Sequence, residues 1–106
     1  MKKKSDSECL DRLIVALCRD YDRRKRAITA SSVGKRVRME YAYLNARILE
    51  GAGEITGGAL AEQMITEIGN GTGYAYSDLE CLSEATYKRY KKEVKKNIAR
   101  RLHLCD

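Results

Sequence analysis

Lysine and arginine side chains crowd the C-terminal part of this 106-residue sequence, where they could bind an anion. Residues 85–101 contain eight of them and a single acidic residue, Glu93. Like charges three or four residues apart on a helix repel each other by about 0.2–0.5 kcal/mol per pair, and a bound anion would relieve that repulsion. The pattern therefore predicts a surface for the phosphates of a nucleic acid. The alternative is a solvated basic face whose charges are screened by salt.

The residues that begin this basic segment indicate how a nucleic acid could be contacted. Ser83 is a good N-cap for a helix over residues 83–102. In a helix-turn-helix motif the first residues of the second helix reach base edges, while lysines and capped N–H groups hold phosphates. The predicted nucleic-acid-binding residues are Ser83, Thr86, Tyr87, Lys88, Arg89, Lys91, Lys92, Lys95 and Lys96. Additional phosphate contacts are predicted for Arg23, Arg24, Arg26, Lys35 and Arg36.

Two tyrosines of this segment allow a second interpretation. Tyr87 and Tyr90 fall on the stripe that continues through Val94, Ile98 and Leu102, at the spacing of one helix face. They fit packing in a core as well as stacking on bases. Both roles stay open on the sequence alone.

The stretch from Leu82 to Val94, continuing through residues 97–99 to Leu102, resembles a known regulatory motif. It is similar to the C-terminal helix-turn-helix of phage late-gene regulators of the ArpU and RinA type, which are related in style to the promoter-reading region of sigma factors. The shared pattern is a serine, then Thr86-Tyr87 with basic residues, then a lysine-rich helix ending in an Ala/Leu pair. The resemblance implies a DNA-binding regulator carried by a phage or mobile element.

Other chemistry finds no support in the sequence. His103 is the only histidine and has no carboxylate neighbour suited to acid–base work, so we expect no catalytic residues and no enzyme. The four cysteines are scattered and form no C-x-x-C pair, which argues against a zinc site. The segment 69–73 is rich in glycine but lacks the Lys-Ser/Thr ending of a phosphate-binding loop. No metal, cofactor or small-molecule ligand is expected.

Helices must position the basic segment, because apolar residues recur at spacings of three, four and seven along most of the chain. We predict an all-α bundle of four to five helices. A helix over about 7–28 and one over about 33–49 would form an N-terminal antiparallel hairpin. A glycine-rich loop at 50–58 would separate it from a short helix at 59–68 and from the long basic last helix, the latter two forming a helix-turn-helix-like unit. Residues 1–6 are predicted to form a disordered basic tail.

Length and composition set the outer limits of this interpretation. The chain has the size of a single domain, residues 1–106, and its 43% apolar content is enough for a core. Its net charge of +6 suits an anionic partner. No secretory signal is visible and the longest apolar run, residues 13–18, cannot span a bilayer, so we expect a cytoplasmic protein without a membrane partner.

Two hypotheses follow. The first is a DNA-binding transcriptional regulator, with RNA as another possible nucleic acid and with a possible homodimer. The alternative is a helical module for protein–protein interaction or dimerisation that has no nucleic-acid partner, its interface being the 7–49 hairpin.

Overall fold

The computed structural model describes the backbone of residues 2–105 and the side chains of residues 7–105. This part of the chain contains helices and no strand, so the predicted all-α bundle is confirmed. The elements are α1 (Lys2–Arg19), α2 (Tyr21–Ala30), α3 (Lys35–Thr56), α4 (Gly58–Asn70), a 3-10 turn (Tyr74–Tyr76) and α5 (Glu84–Arg101). The predicted disordered tail is corrected for residues 2–6, which belong to α1, while Met1 lies outside the described residues.

The first predicted helix is interrupted at Asp20, which separates α1 from α2. The carboxylate of Asp20 accepts from the guanidinium groups of Arg23 and Arg24. Arg24 also donates to the carbonyl oxygen of Leu17, at 2.7 Å. That carbonyl is one of the last four of α1, which lack a helical partner, so these side chains stabilise the break.

The two parts of the interrupted helix have different neighbours. Helix α2 packs antiparallel to α3, as expected from the short connection between them. Helix α1 instead packs against α4 and α5. The predicted hairpin over 7–49 is thus corrected to α2 and α3, because the break at Asp20 redirects α1.

Helix α3 runs through most of the segment that we predicted to be a loop at 50–58. At Gly51 the backbone of α3 comes so close to α5 that an added Cβ would lie 3.1 Å from the Cα atom of Ile98. This glycine therefore serves close packing of two helices. The chain turns only at Gly57, whose φ of +86° favours glycine.

The core lies where α3, α4 and α5 meet, with α1 packed over it. Its fully buried side chains include Ile14, Ile48, Met64, Ile65, Val94 and Ile98. Cys18 is also buried, and this burial raises the pKa of its thiol to about 12. Cys9, Cys81 and Cys105 are exposed, and all four cysteines are free thiols.

None of the helices described is both long enough and apolar enough to cross a membrane. Helices α4 and α5 follow one another as in the predicted helix-turn-helix-like unit, but residues 71–83 separate them. This connection is longer than the three to four residues of the usual motif, and it contains the 3-10 turn.

Candidate nucleic-acid interface

Helix α5 begins where the sequence predicted, because Ser83 caps it. The Ser83 hydroxyl oxygen accepts from the backbone N–H of Thr86 at 3.2 Å, and the two hydroxyl groups lie 3.0 Å apart. Both predicted binding residues are therefore at the start of the helix, but their hydroxyl groups already bond to each other. Their first role is to stabilise the N-terminus of α5.

The inner face of α5 holds two residues that we predicted to contact nucleic acid. Tyr87 is 1% exposed, and its hydroxyl donates to the Glu67 carboxylate at 2.7 Å. Lys91 is half-buried, and its ammonium group donates to the carbonyl oxygen of Thr72 at 2.8 Å. Burial lowers the pKa of Lys91, and Lys95 nearby adds to this effect. Tyr87 and Lys91 stabilise the fold through these contacts. We therefore no longer include them in the predicted contact surface.

Three further cations of α5 are matched by carboxylates. Lys88 lies 2.9 Å from Glu84, one turn before it on the same helix. Lys95 lies 2.8 Å from Asp11, which ties α5 to α1. Arg101 pairs with two carboxylates of α3, Glu50 and Glu54. These pairs neutralise part of the positive charge of residues 85–101. The pairs of Lys95 and Arg101 also hold α5 in the bundle.

The outer face of α5 keeps an open row of cations, which we call the basic stripe: Arg89, Lys92, Lys96 and Arg100. Spacings of three, four and four residues place these side chains on one side of the helix, opposite the buried Val94 and Ile98. All four are exposed, and none forms an ion pair within the described side chains of residues 7–105. Glu93 is the acidic residue adjoining the stripe.

The residues predicted to add phosphate contacts outside α5 divide into three groups. Arg24 is 3% exposed and its guanidinium donates to Asn45, Asp20 and Leu17, so it is a structural residue. Burial lowers the pKa of this guanidinium. Arg23 and Arg26 are exposed but paired with Asp20 and Asp22. Lys35 and Arg36 are exposed at the start of α3.

A buried carboxylate, Glu67, fixes the connection between α4 and α5, and sequence patterns did not reveal it. It accepts hydrogen bonds from four groups: Ser77 Oγ, Tyr87 Oη, Gln63 Nε2 and the backbone N–H of Asp78. Desolvation alone would raise the pKa of Glu67, but these hydrogen bonds together lower it. Desolvation and the bond to Glu67 raise the pKa of Tyr87 to about 12.

The same hydrogen bonds hold residues 77–83 in a turn that is not helical. Ser77 and Glu80 have the spacing of a helix capping box, but residues 77–83 form no helix. The Ser77 hydroxyl donates to Glu67 and accepts from the backbone N–H of Leu79 at 2.8 Å. The connection is thus held as a defined turn, which orients the first turn of α5.

A groove of about 440 Å³ runs beside the basic stripe, between α1 and α5. Leu10, Ile14 and Ala99 supply apolar lining, and Lys92 and Lys96 from the stripe also line the groove. The Lys95–Asp11 pair joins its two walls. The stripe therefore borders a concave surface along part of its length.

Metal binding has no cluster of ligands to support it among the residues described. No group of three or more His, Cys, Asp or Glu side chains there is placed to hold a metal ion. His103 is exposed just after α5, and its backbone N–H donates to the carbonyl of Arg100 at 3.0 Å. It follows the C-cap residue Leu102, and its φ of 59° ends the helix.

Comparison with known proteins gives no family for this chain: no protein-family model, curated protein or solved structure matches it. The chemistry of the basic stripe is therefore the main guide to function.

Proposed function

We propose that this protein is a nucleic-acid-binding regulatory protein, and that the basic stripe of α5 contacts phosphate groups of duplex DNA. The observation that carries the proposal is the row Arg89, Lys92, Lys96 and Arg100, exposed together and unmatched by carboxylates among the described side chains. Such a row costs repulsion unless an anion lies along it. A polyanion with regularly repeated charges relieves that repulsion best.

The dimensions of the stripe suit a nucleic-acid backbone. From residue 89 to residue 100 a helix rises about 16 Å, at 1.5 Å per residue. One strand of B-DNA advances about 3.4 Å per phosphate, so the stripe runs alongside roughly five phosphates. Arginine and lysine hold phosphates by charge and hydrogen bonds without reading bases, so the stripe supplies affinity and orientation.

The regulatory part of the proposal rests on the resemblance of residues 82–102 to phage late-gene regulators. On this view the protein is a transcriptional regulator of a phage or mobile element. Lys88, near the exposed start of α5, is the side chain best placed to approach base edges, since Tyr87 is buried and Arg89 belongs to the stripe.

The salt dependence of binding tests this proposal. We expect the wild-type protein to bind a fluorescent duplex with micromolar or tighter affinity at low salt. Four phosphate contacts predict that log K falls against log salt with a slope of about 3.6, from about 0.9 per contact. In the double variant Lys92→Gln/Lys96→Gln the slope should decrease by about 1.8.

The control is Lys25→Gln, which removes one lysine where the stripe variant removes two. Lys25 is an exposed lysine of α2 that pairs with Glu62 at 2.7 Å and lies outside the basic stripe. Its removal lowers the net charge without changing the stripe, so the slope should stay that of the wild type. Absence of binding at micromolar protein between about 50 and 200 mM salt would refute the proposal. Equal effects of the Lys25 and stripe variants would also refute it.

A further inference from the structure

The outer face of α3 is exposed although it is partly apolar. Met39 is 63% exposed and Tyr43 is 60% exposed, one turn apart. The same side of the helix carries Arg36, Glu40, Ala46, Arg47 and Glu50. We call these seven residues the α3 face. Positions 36, 39, 43, 46 and 50 of this face are separated alternately by three and four residues. This spacing is typical of helices that pack along each other as in a coiled coil.

Tyr43 is held in place at the centre of this face. The guanidinium carbon of Arg47 lies 5.4 Å from the centre of the Tyr43 ring, and Arg47 also donates to Glu50 at 2.6 Å. A ring restrained in this way loses little side-chain freedom when another surface covers it. Tyrosine and arginine are also residue types enriched in binding hot spots.

The order of charges along the α3 face is complementary to the same order taken in the opposite direction along the helix. Along the chain they alternate as Arg36, Glu40, Arg47 and Glu50. If two copies of α3 cross antiparallel about Tyr43, Arg36 of each copy lies opposite Glu50 of the other. Glu40 lies within one residue, about 1.5 Å along the helix axis, of the position opposite Arg47. The long Met39 lies equally close to the position opposite the small Ala46. A two-fold interface needs such self-complementarity, because each patch must match itself.

We infer that the α3 face binds a second copy of this chain, as an antiparallel two-fold pair of α3 helices centred on Tyr43. Tyr43 and Met39 supply the apolar centre. Two Arg36–Glu50 and two Glu40–Arg47 pairs between the copies frame it, with Glu50 also held by Arg47 and Arg101 of its own chain. The two ends of the α3 face carry opposite charges, Arg36 and Glu50. An antiparallel pair brings these opposite charges together, whereas a parallel pair would bring like charges together. The charges therefore determine the orientation of the two helices. This inference does not rest on the basic stripe, because it uses none of its residues. Of the residues predicted to add phosphate contacts, it uses Arg36.

Sedimentation equilibrium of the purified chain, without nucleic acid, tests the interface. We expect a monomer–dimer equilibrium in the micromolar range. Tyr43→Glu should raise the dissociation constant by about tenfold or more, because it places two charges at the apolar centre. The matched control is Tyr76→Glu, since Tyr76 is a tyrosine 86% exposed in the 3-10 turn. It should leave the constant unchanged, and circular dichroism should show equal helix content in both variants.

A charge exchange tests the register. Arg36→Glu and Glu50→Lys, each alone, bring like charges together across the two-fold and should weaken the homodimer. Mixing the two variants should restore dimers, because each new charge then meets an opposite one. A chain that stays monomeric at about 200 µM, a dimer indifferent to Tyr43→Glu, or a Tyr76→Glu variant equally weakened would overturn the inference. Failure of the mixed variants to pair would overturn the antiparallel register.

Discussion

At the scale of single residues, Glu67 has the largest structural role of the charged side chains near α5. It is 3% exposed, yet its four donors come from α4, from the 71–83 connection and from α5. A buried carboxylate is tolerated only when its oxygens are well hydrogen-bonded. Glu67 therefore determines how the start of α5 is joined to the end of α4.

Replacing Glu67 by Gln should destabilise the protein. Glutamine has the same size, but it presents two N–H donors where the site offers donors, so part of the hydrogen bonding is lost. We expect a decrease of about 1–3 kcal/mol in the free energy of unfolding, measured by urea denaturation at pH 7. Glu80→Gln, an exposed residue of the same connection, is the control and should change this energy little.

The same variant makes a prediction about pH. The pKa of Glu67 is lowered in the folded protein from its ordinary value of 4.5. Its contribution to stability is therefore present above the unfolded pKa and is lost as pH falls through the folded pKa. The stability difference between wild type and Glu67→Gln should shrink as pH is lowered from about 6 through 4.5 and below. A difference that stays constant over that interval would contradict the assignment.

At the scale of helices, we expect replacement of a glycine by alanine to have opposite effects at two positions. A Cβ at Gly69 would lie 2.6 Å from the N and Cα atoms of Arg19, so Gly69→Ala must push α1 away from α4. We expect it to destabilise the protein by about 1–3 kcal/mol. A Cβ at Gly53 has only Ala61 Cβ nearby, at 4.0 Å. Gly53→Ala should therefore stabilise α3 by about 0.5–1 kcal/mol.

Urea denaturation of the two alanine variants checks this pair, with the wild type measured alongside. The two substitutions add the same atoms inside helices, so each serves as the control for the other. Destabilisation of both variants to the same extent would mean that the crossing of α1 and α4 is not as close as described.

Helix existence was predictable from the sequence, because apolar spacing and the caps at Ser83 and Gly71 are local signals. The loop prediction at 50–58 was wrong for a physical reason. Glycine weakens a lone helix, but Gly51 is required by the close approach of Ile98, a residue distant in the sequence. The break at Asp20 was missed likewise, since it depends on Arg24, which also bonds to Asn45 of α3.

The candidate site was only partly predictable. Charge density pointed to α5, and the basic stripe contains Arg89, Lys92 and Lys96 from the predicted set together with Arg100. Which lysines face outward could not be read from charge alone. Lys91 reaches the carbonyl of Thr72 and Lys95 reaches Asp11, and both contacts are made only in the folded bundle.

At the scale of the whole molecule, the reactivity of the four cysteines can report how often the core opens to solvent. Cys18 is buried in the core, whereas the other three cysteines are exposed. In native protein an aromatic disulfide reagent should modify three thiols rapidly and Cys18 only when the core opens. Cys18 lies against Gly69, so Gly69→Ala should accelerate its reaction. Reaction of all four thiols at one rate would contradict the burial of Cys18.

The close crossing at Gly51 also bears on how this protein can evolve. Helix α5 is fastened through its inner side, by the contact of Ile98 with Gly51 and by Asn97, which donates to the Gly51 carbonyl at 3.0 Å. None of these anchors lies in the basic stripe. Substitutions along the outer side therefore need not disturb these contacts, so the exposed surface of α5 can change while the architecture is inherited.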